Sequence, residues 1–333
     1  LLLVQKMNAI REDWAIEDDP SRKFKYEKQI EKIEADLKLI NAEITETKKL
    51  LNSNPSSESE PRIALNSHHQ FTCNRMLQDV QFRQHFRTKK DDSKTHFFYL
   101  YGMEEQSHKG LFNRFAFDLE GRLLDHLNPD FETKVQSVKV VLTPQLAQEK
   151  NYDKQQIISE LFMGLEVAHE KFEPLMDKDL GYLYEHSPRI NSLTEEDFVC
   201  VLLGISSYDW DAELIHDLAR WFINDFCECK LPENAPTFLF FLGIIFDEED
   251  EEIEKEVRDT VNESTLIYGI PELEAVSLKD IKKWFAHYRF IKKKSKERDE
   301  LIKERFGEET QFDMEDVEIS LLKIIDEYNE GKI

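Results

Sequence analysis

The chain contains two kinds of hydrophobic pattern. From Tyr26 to Leu51, apolar side chains recur at alternating intervals of four and three residues, with mostly Glu, Lys, Asp and Asn between them. This spacing is the two-position seam of a heptad repeat and predicts an amphipathic helix with one narrow apolar stripe. A shorter segment from Leu3 to Trp14 has the same spacing. The sequence therefore predicts a helical hairpin or coiled coil over residues 1–52.

A polar stretch follows the heptad segment. The residues from Asn52 to Pro61 are all Ser, Asn, Pro or Glu. Such a stretch has too few apolar side chains to offset the entropy that is lost when a chain becomes ordered. We therefore assign residues 53–67 to a flexible linker and residues 68–333 to a second domain.

Short β-rich runs alternate with longer helical segments in the second domain. Strands that alternate with helices, and are apolar on both faces, are typical of a parallel sheet covered on both sides. The pattern predicts an α/β fold with a mainly parallel sheet and helices on both faces. The strands are expected at about His96–Tyr101, Ser137–Leu142, Phe198–Ile205 and Thr237–Phe246, and the helices at about Gly110–Leu127, Asp153–His169 and Asp211–Cys229.

Composition narrows the class of protein. The chain has 68 acidic and 44 basic side chains and a net charge of −24, which disfavours nucleic acid as a partner because phosphates are repelled. No run approaches the roughly 18 apolar residues of a membrane span. The four cysteines are too few for a disulfide scaffold and favour a reducing, cytoplasmic setting. We expect a soluble protein with neither nucleic acid nor a membrane as its partner.

The first predicted strand leads into a loop with the layout of a phosphate-binding loop but without its chemistry. In the pattern G-x-x-x-x-G-K-[ST], the second glycine admits the phosphates, the lysine contacts them and the hydroxyl group holds magnesium. When the pattern is aligned on Gly102, these three positions hold Ser107, His108 and Lys109. All three requirements fail together. The sequence therefore predicts no ATP hydrolysis, no enzyme activity and no cofactor.

An alternative interpretation retains nucleotide binding. Lys109 lies one position late, and a bulged loop would let it contact phosphate, which would make a nucleotide-binding switch with weak or no hydrolysis. Gln106 and His108 instead suit hydrogen bonding at the helix N-terminus, where N–H groups have no partner within the helix. The residues alone leave both interpretations open.

A phosphate site also needs an acidic residue at the end of an apolar strand to orient magnesium. Asp209 and Asp211 follow the third predicted strand, and Asp247 follows the fourth. The strand order of this class of fold favours Asp209 and Asp211 over Asp247, and places the fourth predicted strand next in the sheet. Without the lysine and the hydroxyl group, these acids predict only a vestigial site.

The histidines and cysteines do not predict a metal site. Cys227 and Cys229 lack the two-plus-two ligand spacing of a zinc site. His68 and His69, with Cys73 nearby, adjoin the predicted linker. We expect these two histidines to be exposed and to bind no metal.

Three short motifs resemble a known family. They are the loop Gly102-x-Glu104-x-Gln106-x-His108 leading into Leu111 and Arg114, the segment from Asp209 through Trp221 to Phe226, and the strand Phe238–Phe246. With these motifs the chain resembles the inactive STAND domains of bacteria, relatives of signal-transducing P-loop ATPases that have lost the nucleotide-handling residues. Ala15–Pro20 followed by Phe24–Ile30 is similar to an effector-associated helical segment that recurs beside such domains in conflict and signalling proteins.

The resemblance implies an adaptor in a bacterial signalling or anti-phage conflict system. Its P-loop-NTPase-like domain would serve as a binding scaffold, coupled to an effector such as a caspase-like or trypsin-like peptidase. The heptad seam must bury its stripe, against either a partner helix or a second copy of the chain. The predicted partner interface comprises Ile30, Ile33, Leu37, Ile40, Ile44 and Leu51.

Overall fold

A five-stranded sheet forms the centre of the computed structural model, which describes residues 63–128, 130–168, 175–246 and 251–333. All of these residues belong to one compact unit, Ile63–Ile333. The heptad segment, with its six predicted interface residues, and the predicted linker up to residue 62 lie outside the described residues.

The strands of the sheet are all parallel. They are β1 (Thr95–Met103), β2 (Ser137–Leu142), β3 (Phe198–Ser206), β4 (Thr237–Phe246) and the short β5 (Tyr268–Gly269). Their order is β2-β3-β4-β1-β5. The predicted α/β fold is confirmed, and β4 lies between β3 and β1, as the strand-order argument requires. Sequence analysis missed β5, because two residues are too few for a periodic signal.

Helices cover both faces of the sheet. Alternate side chains of each strand point to opposite faces, and in β1 Phe98 and Leu100 pack in one core cluster while Tyr99 and Tyr101 pack in another. The first face is covered by α1 (Met76–Lys89) and α2 (His108–Leu119). The second is covered by α3 (Lys150–Gly164), α4 (Leu180–His186), α5 (Ala212–Trp221) and α6 (Glu251–Glu263).

The predicted helix boundaries need correction. The helix predicted over Gly110–Leu127 ends at Leu119, because Gly121 adopts a left-handed conformation with φ of 72° and stops the helix. A separate 3-10 helix then covers Arg122–Leu127. The helix predicted to reach Cys229 ends at Trp221 and continues as a π-helical turn over Phe222–Phe226.

The C-terminal part adds a second core beside the sheet. A two-stranded antiparallel ribbon, β6 (Val276–Ser277) and β7 (Gln311–Phe312), joins α7 (Leu278–His287), α8 (Ser295–Phe306) and α9 (Met314–Asn329). Trp284, Leu321 and Ile325 are central to this core, and Leu65 and Cys73 from the start of the unit join it. Among the described residues, no helix has the length and apolar character needed to cross a membrane.

Candidate functional site

The degenerate loop lies between β1 and α2, as predicted. Its first residues, Glu104–Gln106, form a 3-10 turn, and Ser107 then adopts a left-handed conformation with φ of 55°. The Ser107 side chain caps the new helix, because its Oγ accepts a hydrogen bond of 3.2 Å from the Gly110 N–H. A serine thus replaces the second glycine of the pattern and keeps the strand-loop-helix layout.

A carboxyl group from the C-terminal helix lies on the N-terminus of α2. Ser107 Oγ donates a hydrogen bond of 2.7 Å to Glu318 Oε2. A Cβ atom added at Gly110 would lie only 2.0 Å from Glu318 Oε1, so this oxygen is packed directly against the first turn of the helix. The N-terminus of such a helix is where a phosphate group binds in a working loop. Glu318 therefore occupies the position of an anion with a group from the same chain.

Burial controls the charge of this carboxyl group. It raises the pKa of Glu318 to about 7, against the opposing effects of the Ser107 hydrogen bond and of the Arg75 charge. Within the described residues, Glu318 Oε1 is buried and has no hydrogen-bond partner, which agrees with poor solvation of the charged form. The group therefore changes between its neutral and charged forms near neutral pH.

Arg75 and Gln106 fasten the loop to the rest of the fold. The buried Arg75 guanidinium donates hydrogen bonds of 2.7 Å to the carbonyl oxygens of Gln106 and Glu274. The Gln106 side chain donates to Asp313 Oδ1 at 3.2 Å. Asp313 immediately precedes α9. Arg75 thus connects the loop to the segment at Glu274, and Gln106 connects it to the start of α9.

His108 is bonded to the sheet, and Lys109 is exposed. Burial lowers the pKa of His108 to about 4, so its imidazole is neutral, and Nε2 donates to the Ile244 carbonyl oxygen of β4 at 3.2 Å. Lys109 is exposed. The charged lysine of a working loop is replaced by a neutral ring that bonds to the sheet.

Two of the predicted acidic residues, Asp209 and Asp211, follow β3 at the same edge of the sheet as the loop. Asp209 ends the 3-10 turn Ser207–Asp209 that follows β3. Asp211 caps α5, with Oδ1 accepting a hydrogen bond of 2.8 Å from the Leu214 N–H. Since β4 separates β3 from β1, these acids are two strands, roughly 10 Å, away from the loop. Asp247 lies outside the described residues.

Glu318 was missed in the sequence, although it carries a signal. It lies four residues after Met314 and three before Leu321, both of which are buried, so it shares the apolar face of α9. An acid on an apolar face needs a specific partner, because an unpaired buried charge is costly. The sequence alone does not name Ser107 as that partner.

The prediction that His68 and His69 are exposed was wrong. The 3-10 turn Ser67–Thr72 packs beneath the C-terminal core, so His69 is fully buried and His68 nearly so. Both rings contact the carboxylate of Asp125. Composition suggested exposure because the linker next to this turn is polar, but the C-terminal helices that cover it come about 200 residues later.

Comparison with solved structures finds similar chains, whereas no curated protein matches this sequence. The Aeropyrum pernix ORC2 protein is 12% identical with a TM-score of 0.44, over 84% of this chain and 71% of that one. A Walker-type ATPase of Pyrococcus abyssi is 9% identical with a TM-score of 0.33, over 82% and 71%. Drosophila ORC bound to DNA and Cdc6 is 13% identical with a TM-score of 0.32, over 70% and 37%.

A family match covers the sheet and the degenerate loop. The sequence model of the inactive STAND family matches residues 70–244, just over half of the 333 residues. The matched range includes β1, the loop, α2 and nearly all of β4, and it ends before α9. The chain belongs to the inactive STAND family.

Proposed function

We propose that this protein is a non-catalytic scaffold in which the C-terminal helix fills the former phosphate-binding loop. The observation that carries the proposal is the hydrogen bond from Ser107 to Glu318, with the carboxyl group packed on the first turn of α2. A helix N-terminus that is already packed against a carboxyl group of its own chain offers no place for a phosphate. What remains available to the domain is contact with other proteins.

The electrostatics around the loop support the proposal. A triphosphate would bring several negative charges next to Glu318, Glu104 and Glu105. Glu315, one turn before Glu318 on α9, already feels this charge: burial, together with the charges of Glu104 and Glu105, raises the pKa of Glu315. The charge of Glu315 in turn acts to raise the pKa of Glu318. The repulsion between these carboxylates and a triphosphate opposes nucleotide binding.

The nucleotide-switch alternative requires two rearrangements. Glu318 must leave the N-terminus of α2, and the exposed Lys109 must turn into the loop. Neither is favoured while Arg75 and Gln106 hold the loop against the segments on either side of it.

Calorimetric titration with ATP, ADP, GTP and GDP in the presence of magnesium tests the proposal. We expect no heat of binding up to millimolar nucleotide. Magnesium-dependent binding at micromolar concentration that disappears in Lys109→Ala would support the switch and overturn the scaffold. Exchange of the exposed Lys90 for Ala is the matched control, because it removes the same charge from a segment that the loop does not contact.

The finer part of the proposal concerns the partner. The scaffold would act in the bacterial cytoplasm, in signalling or anti-phage conflict, and transmit binding to an effector such as a caspase-like or trypsin-like peptidase. The heptad seam from Ile30 to Leu51 would supply the contact with the effector or with a second copy of the chain. Family membership and the retained fold support a scaffold, and the apolar seam supports a helical partner.

A further inference from the structure

Two imidazoles and a carboxylate meet beneath the C-terminal core. His69 Nε2 lies 2.6 Å from Asp125 Oδ1, and His68 Nε2 lies 3.1 Å from Asp125 Oδ2. One ligand atom from each of the three residues lies within 4.8 Å of the others. His68 and His69 come from the turn Ser67–Thr72, and Asp125 comes from the 3-10 helix Arg122–Leu127.

The hydrogen bonds around His69 allow a tautomer with the ring proton on Nδ1. The Thr72 hydroxyl donates to the His69 carbonyl oxygen at 2.6 Å. The Tyr288 hydroxyl, 2.9 Å from Thr72 Oγ1, can then donate to Thr72 and accept from His69 Nδ1 at 2.9 Å. In that arrangement Nδ1 carries the ring proton and Nε2 faces Asp125.

This assignment leaves a lone pair facing a carboxylate. A neutral His69 that is protonated at Nδ1 has no proton on Nε2, which is the atom 2.6 Å from Asp125 Oδ1. Two electron-rich atoms at this separation repel each other unless a cation lies between or beside them. In the metal-free protein a proton lies between these atoms, and a metal ion can take its place.

We propose that His68, His69 and Asp125 form a binding site for a divalent transition-metal ion of the zinc class. Two imidazole nitrogens and one carboxylate oxygen are a donor set that Zn²⁺ uses when one position is left for another ligand. Without an ion, the Arg122 carbonyl oxygen accepts a hydrogen bond of 3.1 Å from His68 Nε2. Binding of an ion at Nε2 would shift that proton to Nδ1 and leave the oxygen free to take the fourth position. Ligand atoms around tetrahedral zinc are about 3.3 Å apart, so the three side chains, whose ligand atoms lie within 4.8 Å of one another, would adjust their positions around the ion.

The three side chains are shielded from solvent. His69 is fully buried, His68 is nearly so, and the Asp125 side chain is 10% exposed. A metal ion binds such side chains as neutral imidazoles and an ionised carboxylate, so its binding releases protons.

The second layer of contacts resembles that of known metal sites. Tyr288 accepts from His69 Nδ1, and Asn66 Nδ2 donates to Asp125 Oδ2 at 2.9 Å. Such partners hold the ligands in orientation, as they do around bound metals in general. The ion would join two segments 57 positions apart in sequence, at the place where the described unit begins. The proposal is independent of the scaffold function, because neither histidine touches the loop residues Glu104–Lys109 in any of the contacts above.

Metal titration of the full chain tests the site. Protein treated with a chelator and dialysed is titrated with Zn²⁺ and with Co²⁺, whose visible absorption reports its ligands. We expect one equivalent to bind at micromolar concentration or tighter, a raised unfolding temperature, and a Co²⁺ spectrum without the strong thiolate band that Cys227 or Cys229 would produce. Absence of stoichiometric binding, or a thiolate band, would overturn the proposal.

Variants locate the ion. Asp125→Asn keeps the shape of the side chain and is expected to weaken Zn²⁺ binding at least 10-fold, as is His69→Gln. His186→Ala is the matched control, since His186 is exposed on α4 and packs with a different part of the fold. Unchanged affinity in both Asp125→Asn and His69→Gln would overturn the site. If His69→Gln fails to fold, Asp125→Asn alone decides between these outcomes.

Discussion

Ser107 and Glu318 are 211 positions apart in the sequence, yet the serine hydroxyl lies 2.7 Å from the glutamate carboxyl group. Glu318 belongs to α9, outside the residues that match the inactive STAND family. The loss of the phosphate-binding residues and the occupation of their site thus come from two distant parts of the chain. The loop that lacks these residues is thus filled by a side chain from the same chain.

The raised pKa of Glu318 makes a prediction about pH. A carboxyl group whose pKa rises from 4.5 to about 7 on folding binds its proton more tightly in the folded state. Its contribution to stability is complete below pH 4.5 and is lost as the pH rises through about 7. The loss amounts to as much as about 3 kcal/mol in the free energy of unfolding.

Comparison with Glu318→Gln isolates this contribution. The amide copies the shape of the protonated acid but does not titrate. We expect the stability of Glu318→Gln relative to the unmodified protein to increase between pH 5 and pH 8, measured by urea unfolding at each pH. A difference that stays constant over this range would show that Glu318 does not titrate as a buried group.

Gly110 provides a test of how closely Glu318 is packed. At most helix positions, replacing Gly with Ala stabilises a protein by up to about 1 kcal/mol. Here the new Cβ would lie 2.0 Å from Glu318 Oε1 and 2.4 Å from Ser107 Oγ. We therefore expect Gly110→Ala to lower the free energy of unfolding, and to lower it less in a Glu318→Ala background. Stabilisation by Gly110→Ala in the unmodified protein would contradict the packing.

Arg114 lies on α2 and connects this helix both to α1 and to the start of the described unit. Its guanidinium forms two-pronged hydrogen bonds with the buried Asp79, and Nη1 donates to the carbonyl oxygens of Phe71 and Asn74. Arg114→Ala leaves a buried carboxylate without its partner, which costs about 3–5 kcal/mol in the free energy of unfolding.

A second arginine serves as the control for that measurement. Arg83 also pairs with an aspartate, Asp118, at 2.6 Å, but its side chain is 42% exposed. Arg83→Ala is expected to cost less than about 1 kcal/mol. Thermal or urea unfolding of both variants checks the comparison, and equal losses would mean that burial does not set the strength of these pairs.

The heptad segment makes a prediction about association. Ile33→Asp with Ile40→Asp places charge in the seam, where each buried isoleucine contributes about 1.5 to 3 kcal/mol. We expect binding to a partner or to a second copy to be abolished, while the domain from residue 68 onward stays folded. Light scattering and partner capture measure the first effect, and circular dichroism measures the second.

Two alanines supply the matched control for the seam. Ala35 and Ala42 repeat seven residues apart between the seam positions, and the heptad pattern predicts them on the helix face opposite the apolar stripe. Ala35→Asp with Ala42→Asp adds the same charge and should leave association unchanged. If the isoleucine pair and the alanine pair behave alike, the seam is not the interface.

The sheet was predictable because its signal is local. The apolar runs at Ser137–Leu142 and Thr237–Phe246 coincide with β2 and β4, and the others differ by one or two residues at their ends. A buried parallel strand is apolar along its whole length, so its sequence is nearly sufficient to identify it. Helix ends were less predictable, because Gly121 stops a helix through its backbone conformation rather than through periodicity.

The occupied loop and the histidine cluster were not predictable, because each depends on long-range packing. The sequence shows that the loop lacks its lysine, but not that Glu318 takes the place of the phosphate. It shows His68 and His69 beside a polar stretch, but not that Tyr288 and Asp125 surround them. In both cases the decisive residues come from segments that only the three-dimensional fold brings together.

A crystal structure of the protein grown with magnesium and ATP tests the central claim most directly. The expected result is a loop between Gly102 and Gly110 without triphosphate, and a Glu318 carboxyl group within hydrogen-bond distance of Ser107. A triphosphate wrapped by the backbone of that loop, with Glu318 displaced, would contradict it.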